Sequence, residues 1–84
     1  PVLVDDIASS GHTLAEAGRH VRSAFDAAPP CIAVHALFAP GAKSLLREAG
    51  VARVLSCNTV PDDSNAIDVM PLFAEGVRSL LARP

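Results

Sequence analysis

The stretch Val2-Leu3-Val4-Asp5-Asp6-Ile7-Ala8-Ser9-Ser10-Gly11-His12-Thr13 decides how this chain reads. Three apolar residues open it, of the kind that fill a strand buried on both faces. Asp5 to His12 is small and polar and reads as a loop. A helix follows, for which Thr13 and Glu16 have capping-box spacing. Small side chains let backbone amides turn toward a ligand. A helix N-terminus adds unpaired N–H groups and partial positive charge, so the segment describes an anion site, most naturally for phosphate. Ser9, Ser10 and Thr13 add hydroxyl donors. The carboxylates of Asp5 and Asp6 would repel an adjacent phosphate. One ligand-length away they would instead accept hydrogen bonds from sugar hydroxyls or hold Mg²⁺ through water. Phosphate at one end and hydroxyls at the other describe a sugar phosphate. The plainer reading is a solvated strand end and an ordinary Ser/Gly/Thr turn.

Outward from this segment, strand and helix alternate. Leu14, Ala17, Val21 and Ala24 or Phe25 recur at helical spacing, and Pro29-Pro30 ends that helix. Cys31 to Phe38 reads as a second strand, punctuated by Pro40-Gly41. Ala42, Leu45, Leu46 and Ala49 predict a short helix stopped by Gly50. Val51 to Cys57 reads as a third strand and Asn58 to Asn65 as a loop. Ala66 to Val69 reads as a short fourth strand. Pro71 suits a first helical position, and Phe73, Val77, Leu80 and Leu81 carry the closing helix. The pattern predicts an α/β fold: a partial parallel sheet of three to four strands with flanking helices, in a Rossmann-type three-layer arrangement. Such sheets bind ligands beyond the carboxyl ends of their strands. Asp5 to His12, Phe38 to Gly41 and Asn58 to Asn65 all fall at that end.

Length and composition bound the function. At 84 residues the chain makes at most one small domain with a thin core. Half of the residues are apolar and mean hydropathy is +0.34, so exposed apolar faces are expected to need covering. Two accounts fit: residues 1–84 are a piece of a larger domain, or the chain forms a tight homo-oligomer. No apolar run approaches the ~18 residues of a membrane helix, and residue 1 already lies in an apolar run rather than a signal peptide. A formal charge of −2, without Trp or Tyr and without a basic stripe, argues against a nucleic-acid surface. Cys31 and Cys57 lack disulfide-framework or zinc spacing and read as reduced, buried, cytosolic thiols.

Other polar residues carry two readings each. His35, near the end of the second strand, is expected to be a structural histidine bonded at the strand end, with ligand contact as the alternative. His20 is expected to be solvated, and a catalytic role for His12 is disfavoured. Asp62, Asp63, Ser64 and Asn65 read as turn chemistry before they read as a site. No His/Cys/Asp set has metal-ligand spacing, and neither Ser9 nor Ser10 has a paired base.

The string VLVDDIASSGHT resembles the phosphoribosyl pyrophosphate-binding motif of type I phosphoribosyltransferases: apolar residues, two acids, two variable positions, two Ser/Thr, Gly, a position often Gly, then Thr. AVHALFAPGA and VLSCNTVPDDSNAIDVMPLFAEGV resemble the segments that follow this motif in phosphoribosyl pyrophosphate synthetases, so the resemblance spans essentially the whole chain. It implies the C-terminal portion of a phosphoribosyltransferase-like domain. It implies that Asp5 and Asp6 contact ribose hydroxyls, and that Ser9, Ser10, Gly11, His12 and Thr13 wrap the 5-phosphate of ribose 5-phosphate. His12 departs from the Gly often found there. The implied reaction moves pyrophosphate from ATP to ribose 5-phosphate with Mg²⁺, in the cytoplasm. The ATP site and the catalytic loop belong to earlier sequence, so no catalytic residue and no direct metal ligand are expected in this chain. Two alternatives stay open: a non-catalytic homologue serving as a regulatory or assembly partner, and a phosphoribosyltransferase that uses the finished pyrophosphate. A lysine-bearing loop in the preceding sequence would separate the first from an active synthetase. The segment after Asn58 disfavours the second.

Overall fold

The computed structural model describes residues 1–83 and contains four strands and three helices in the order β1 (Leu3–Ala8), α1 (His12–Phe25), β2 (Cys31–Ala36), α2 (Ala42–Glu48), β3 (Val54–Cys57), β4 (Asn65–Ile67), α3 (Met70–Leu81). All strand pairs are parallel and the sheet runs β1-β2-β3-β4, giving an α/β fold. Leu3, Cys31 and Val54 are register partners across three strands, as are Val4, Ile32 and Leu55. The first row lies in the core, with Leu14 and Ala15 of α1 and Leu46 of α2 packed against it. Helices α1 and α2 therefore share one face of the sheet.

Val4 is 70% exposed while Leu3 is buried, so the apolar run at the start of β1 is buried on one face rather than on both as expected. An apolar run makes a strand but does not supply a layer on each side of it. Strand β1 is also longer than expected: Asp5 and Asp6 lie in it, and the loop shrinks to Ser9–Gly11. Neighbouring β2 supplies ladder partners to Ile7 and Ala8, which overrides the low strand propensity of the two acids. Strand β2 closes at Ala36 instead of Phe38, and β3 opens at Val54 instead of Val51. Val51 to Arg53 instead serve the end of α2 and the connection onward. The fourth strand lies at Asn65–Ile67, one residue earlier than expected and shorter, and α3 carries Pro in its first turn.

The capping box at Thr13 and Glu16 does not form. Helix α1 begins at His12 with Gly11 as N-cap and no side-chain cap, which places Thr13 inside the first turn. Its core face is Leu14, Ala15 and Gly18, with Ala17 and Val21 at the margin and Phe25 65% exposed. Gly18 lets α1 approach closely, since a Cβ there would meet Val51 at 3.1 Å and Leu3 at 3.6 Å.

The end of α2 follows the sequence reading. The Gly50 amide bonds to Arg47 O and the Val51 amide to Leu46 O, the paired bonds of a Schellman stop with Gly50 at φ +92°. Val51 and Leu46 are both buried, which completes the motif's hydrophobic contact. Helix α3 contributes no buried residue, and Leu72, Phe73, Val77, Leu80 and Leu81 are exposed.

Candidate functional site

The Ser9–Gly11 loop links the end of β1 to the start of α1. Its shape rests on Gly11 at φ +83°, a left-handed conformation that costs other residues about 1–2 kcal/mol. Gly11 is also buried, and a Cβ there would sit 3.4 Å from the Ala42 carbonyl oxygen. Two backbone bonds tie this turn to the segment after β2: Leu37 N–H donates to Ala8 O at 3.0 Å, and Ala39 N–H to Ser9 O at 2.9 Å. The loop therefore has a fixed floor although its own residues are mostly exposed.

Its donors remain uncommitted. The first amide of α1 to find a carbonyl is that of Ala15, which bonds to Gly11 O at 2.8 Å. Among the described residues, the amides from Ser9 through Leu14 donate to no backbone carbonyl outside the regular elements. The hydroxyls of Ser9, Ser10 and Thr13 are exposed and enter no described hydrogen bond. These groups surround a cavity of about 130 Å³ lined by Asp5, Ile7, Ala8, Ser9, Ser10, Gly11, Thr13 and Leu14. Aligned free amides at the start of a 14-residue helix favour an anion.

The expected site residues do not all meet there. Asp5, Ser9, Ser10, Gly11 and Thr13 line the cavity, whereas Asp6 and His12 do not. Asp5 is partly buried beside the cavity, whereas Asp6 is exposed and lies outside its lining. His12 is exposed on the first turn of α1. Each acid also holds a neighbouring amide: Asp6 N–H donates to Asp5 Oδ1 at 2.9 Å and Ile7 N–H to Asp6 Oδ1 at 2.8 Å. The Ile7 amide, then a hydrogen bond shared with the Asp5 carboxyl, holds Asp6 below the usual carboxylate range. One oxygen of each acid remains outside these backbone bonds.

A second polar assembly lies in the Asn58–Ser64 segment, and its protons have one possible direction. Lys43 Nζ donates to Asp62 Oδ2 at 2.7 Å, and Ser64 Oγ and Ser64 N–H donate to the same oxygen. Because Ser64 Oγ has given its proton to a carboxylate, the 2.7 Å contact between the two serines requires Ser56 Oγ to donate. Ser56 in turn accepts from Asn65 Nδ2 at 2.8 Å. Asn65 Nδ2 also reaches the Cys57 and Val60 carbonyls, while Asn65 Oδ1 accepts from the Asp62 amide. Lys43 first, then Ser64, lowers the Asp62 pKa to about 2. The turn reading of Asp62, Ser64 and Asn65 holds, and Asp63 takes no part in the chain of bonds.

Lys43 was not visible as part of this assembly from sequence, because the packing of α2 sets its distance to Asp62. It also lies 5.3 Å from the Phe38 ring centroid, within cation–π range. His35 bonds through Nδ1 to Thr59 Oγ1 at 2.7 Å, the strand-end role expected of it; its partner Thr59 had given no signal. A larger groove, about 290 Å³, runs beside α2 and is lined by Lys43, Arg47, Arg53 and Asp63 among others, with none of Ser9–Gly11. Cys31 and Cys57 are free and buried, and burial first, with the Asp5 charge second, pushes the Cys31 thiol up. No described helix is long and apolar enough to cross a membrane.

Comparison with known proteins places this geometry. The chain is 33% identical over 79 residues to a ribose-phosphate pyrophosphokinase of Sulfolobus acidocaldarius, a match covering 94% of the chain and 27% of the relative. It is 33% identical over 84 residues to ribose-phosphate pyrophosphokinase 4 of Saccharomyces cerevisiae, covering 94% and 26%. It is 36% identical over 76 residues to ribose-phosphate pyrophosphokinase 2 of Archaeoglobus fulgidus, covering 90% and 28%. The chain thus spans about a quarter of the length of these relatives. The model of the phosphoribosyl transferase domain matches residues 1–74, the sheet and both packed helices included, and the chain belongs to that family.

Proposed function

We propose that this chain is the ribose-5-phosphate-binding portion of a protein that transfers pyrophosphate from ATP to ribose 5-phosphate, forming phosphoribosyl pyrophosphate. The observation that carries the reading is the run of amides from Ser9 through Leu14 that has no protein carbonyl to serve and surrounds a cavity at the start of α1. The loop amides, with the hydroxyls of Ser9, Ser10 and Thr13, hold the phosphate, and Gly11 sets their direction. His12 contributes its amide, its side chain lying outside the cavity. Asp5 and Asp6 accept hydrogen bonds from ring hydroxyls through the oxygens that their backbone bonds leave free. The names of the relatives support pyrophosphate transfer as the reaction.

Asp5 and Asp6 would hold Mg²⁺ through water, and no cluster of three or more His, Cys, Asp or Glu suited to a direct metal site occurs among the described residues. When bound, Mg²⁺ neutralises charge on the diphosphoryl group. ATP and the groups that act on it belong to other parts of the protein, and this portion alone binds without turning over. The uncovered row at Val4 and the exposed face of α3 agree with a portion of a larger or oligomeric protein. Calorimetry with ribose 5-phosphate on the protein that carries this chain tests the proposal. Binding that survives Ser10→Pro with Thr13→Val unchanged would overturn it. A protein that binds ribose 5-phosphate without turnover in the presence of ATP and Mg²⁺ would favour the non-catalytic homologue.

A further inference from the structure

His35 holds a place that its bond to Thr59 does not exhaust. We propose that Thr59 fixes His35 as the tautomer protonated on Nδ1, and that Nε2 then accepts a hydrogen bond from a hydroxyl of the sugar phosphate held by the Ser9–Gly11 loop. This rests on the functional reading above and deepens it, adding an acceptor for the sugar beside Asp5 and Asp6.

Thr59 Oγ1 lies 3.2 Å from the Val34 carbonyl oxygen and 2.7 Å from His35 Nδ1. A carbonyl can only accept, and the Thr59 hydroxyl is placed to give its single proton to Val34. Thr59 then meets the imidazole with a lone pair, and Nδ1 must supply the hydrogen. A neutral imidazole carries one N–H, so Nε2 is left as an acceptor. Thr59 is the positioning residue here: its two bonds set both the ring's orientation and which nitrogen bears the proton.

Placement supplies the second part. His35 is the register partner of Ile7, and Ile7 lines the loop cavity together with Asp5. His35 is half-buried near the carboxyl end of β2, the end from which the loop departs. Its Nε2 enters no described hydrogen bond, yet no described buried side-chain nitrogen lacks a partner. Nε2 is therefore open to solvent and to a ligand. The loop offers donors, which suit a phosphate, whereas sugar hydroxyls need acceptors to receive their protons. Two carboxylates and an imidazole lone pair divide that task between β1 and β2.

The test has a spectroscopic arm and a binding arm, both on the protein that carries this chain. With ¹⁵N-labelled histidine at neutral pH, His35 is expected to show a protonated Nδ1 and an unprotonated Nε2, and Thr59→Val to shift the ring toward a mixture of tautomers. A protonated Nε2 in the neutral ring of the parent would overturn the proposal with no variant needed. In binding, His35→Ala is expected to weaken ribose 5-phosphate about threefold to tenfold, the worth of one uncharged hydrogen bond. Inorganic phosphate should bind equally to both proteins, and His35→Gln, which keeps an acceptor, should recover part of the loss. Ribose 5-phosphate binding unchanged in His35→Ala would overturn this inference alone. A parent that binds inorganic phosphate but not ribose 5-phosphate would overturn the functional reading and this inference with it.

Discussion

Ser9–Gly11 and Asn58–Ser64 both follow strands at the carboxyl end of the sheet, and both are made mostly of small polar residues. They use those residues in opposite ways. In the second loop, Asp62, Ser64 and Asn65 bond to one another, to Ser56 and to Lys43. In the first, no hydroxyl enters a described bond, and Ser9, Ser10, Gly11 and Thr13 line a cavity. One loop saturates its polar groups internally and becomes scaffold. The other is held from beneath by the bonds of Ala8 and Ser9 to the β2 side, which leaves its donors available to a ligand. Similar composition therefore carries different functions, and the hydrogen-bond partners tell them apart.

The largest effect that would break this comparison lies at the acids ahead of the first loop. Asp5→Asn with Asp6→Asn should weaken ribose 5-phosphate binding by about 1.5–3 kcal/mol for each charged acceptor removed, while leaving the melting transition cooperative. Calorimetry alongside circular dichroism checks both halves, and unchanged affinity would return Asp5 and Asp6 to a solvated strand end. Next comes the scaffold loop. Asn65→Ala leaves Ser56 Oγ, the Cys57 carbonyl and the Asp62 amide without their partner, and should cost about 1–3 kcal/mol of stability with little change in phosphate affinity. Denaturant melts paired with phosphate titration read this directly, and a loss of affinity without a loss of stability would reverse the roles of the two loops.

Gly11→Val is the converse case within the first loop. It forces a branched residue to φ +83°, at a cost of about 1–2 kcal/mol, and turns the amides away from the cavity. Both stability and phosphate affinity should fall, and a variant that keeps its affinity would show that the loop's shape is not what binds.

The smallest effect concerns the Lys43–Asp62 pair. The folded-state pKa of Asp62, about 2, lies below its ordinary 3.8, so the pair's contribution is present above the ordinary value and is lost as pH falls toward the lower one. Both side chains are partly exposed, which limits the pair to about 0.2–1 kcal/mol. Thermal melts of the parent and Lys43→Met should differ slightly at neutral pH and converge as the pH falls to about 2. A gap that persists there would assign the effect to the packing of Lys43 on Phe38 instead.

The sequence by itself determined the order of the elements, the stop of α2 at Gly50 and the existence of a small-residue loop before α1. Each rests on local physics: apolar periodicity, the tolerance of glycine for positive φ, and small residues ahead of a helix. It also carried the family, because VLVDDIASSGHT is contiguous. Only the tertiary structure decided that Asp5 lines the cavity while Asp6 and His12 do not, that Gly11 and not Thr13 caps α1, and that Thr59 meets His35 across 24 residues. It likewise decided that Lys43 closes on Asp62 and that one sheet face and the whole of α3 stay uncovered in this chain. Such outcomes depend on strand register and on which layers are present to pack. Both are set by contacts between residues distant along the chain, where no local pattern of side chains records them.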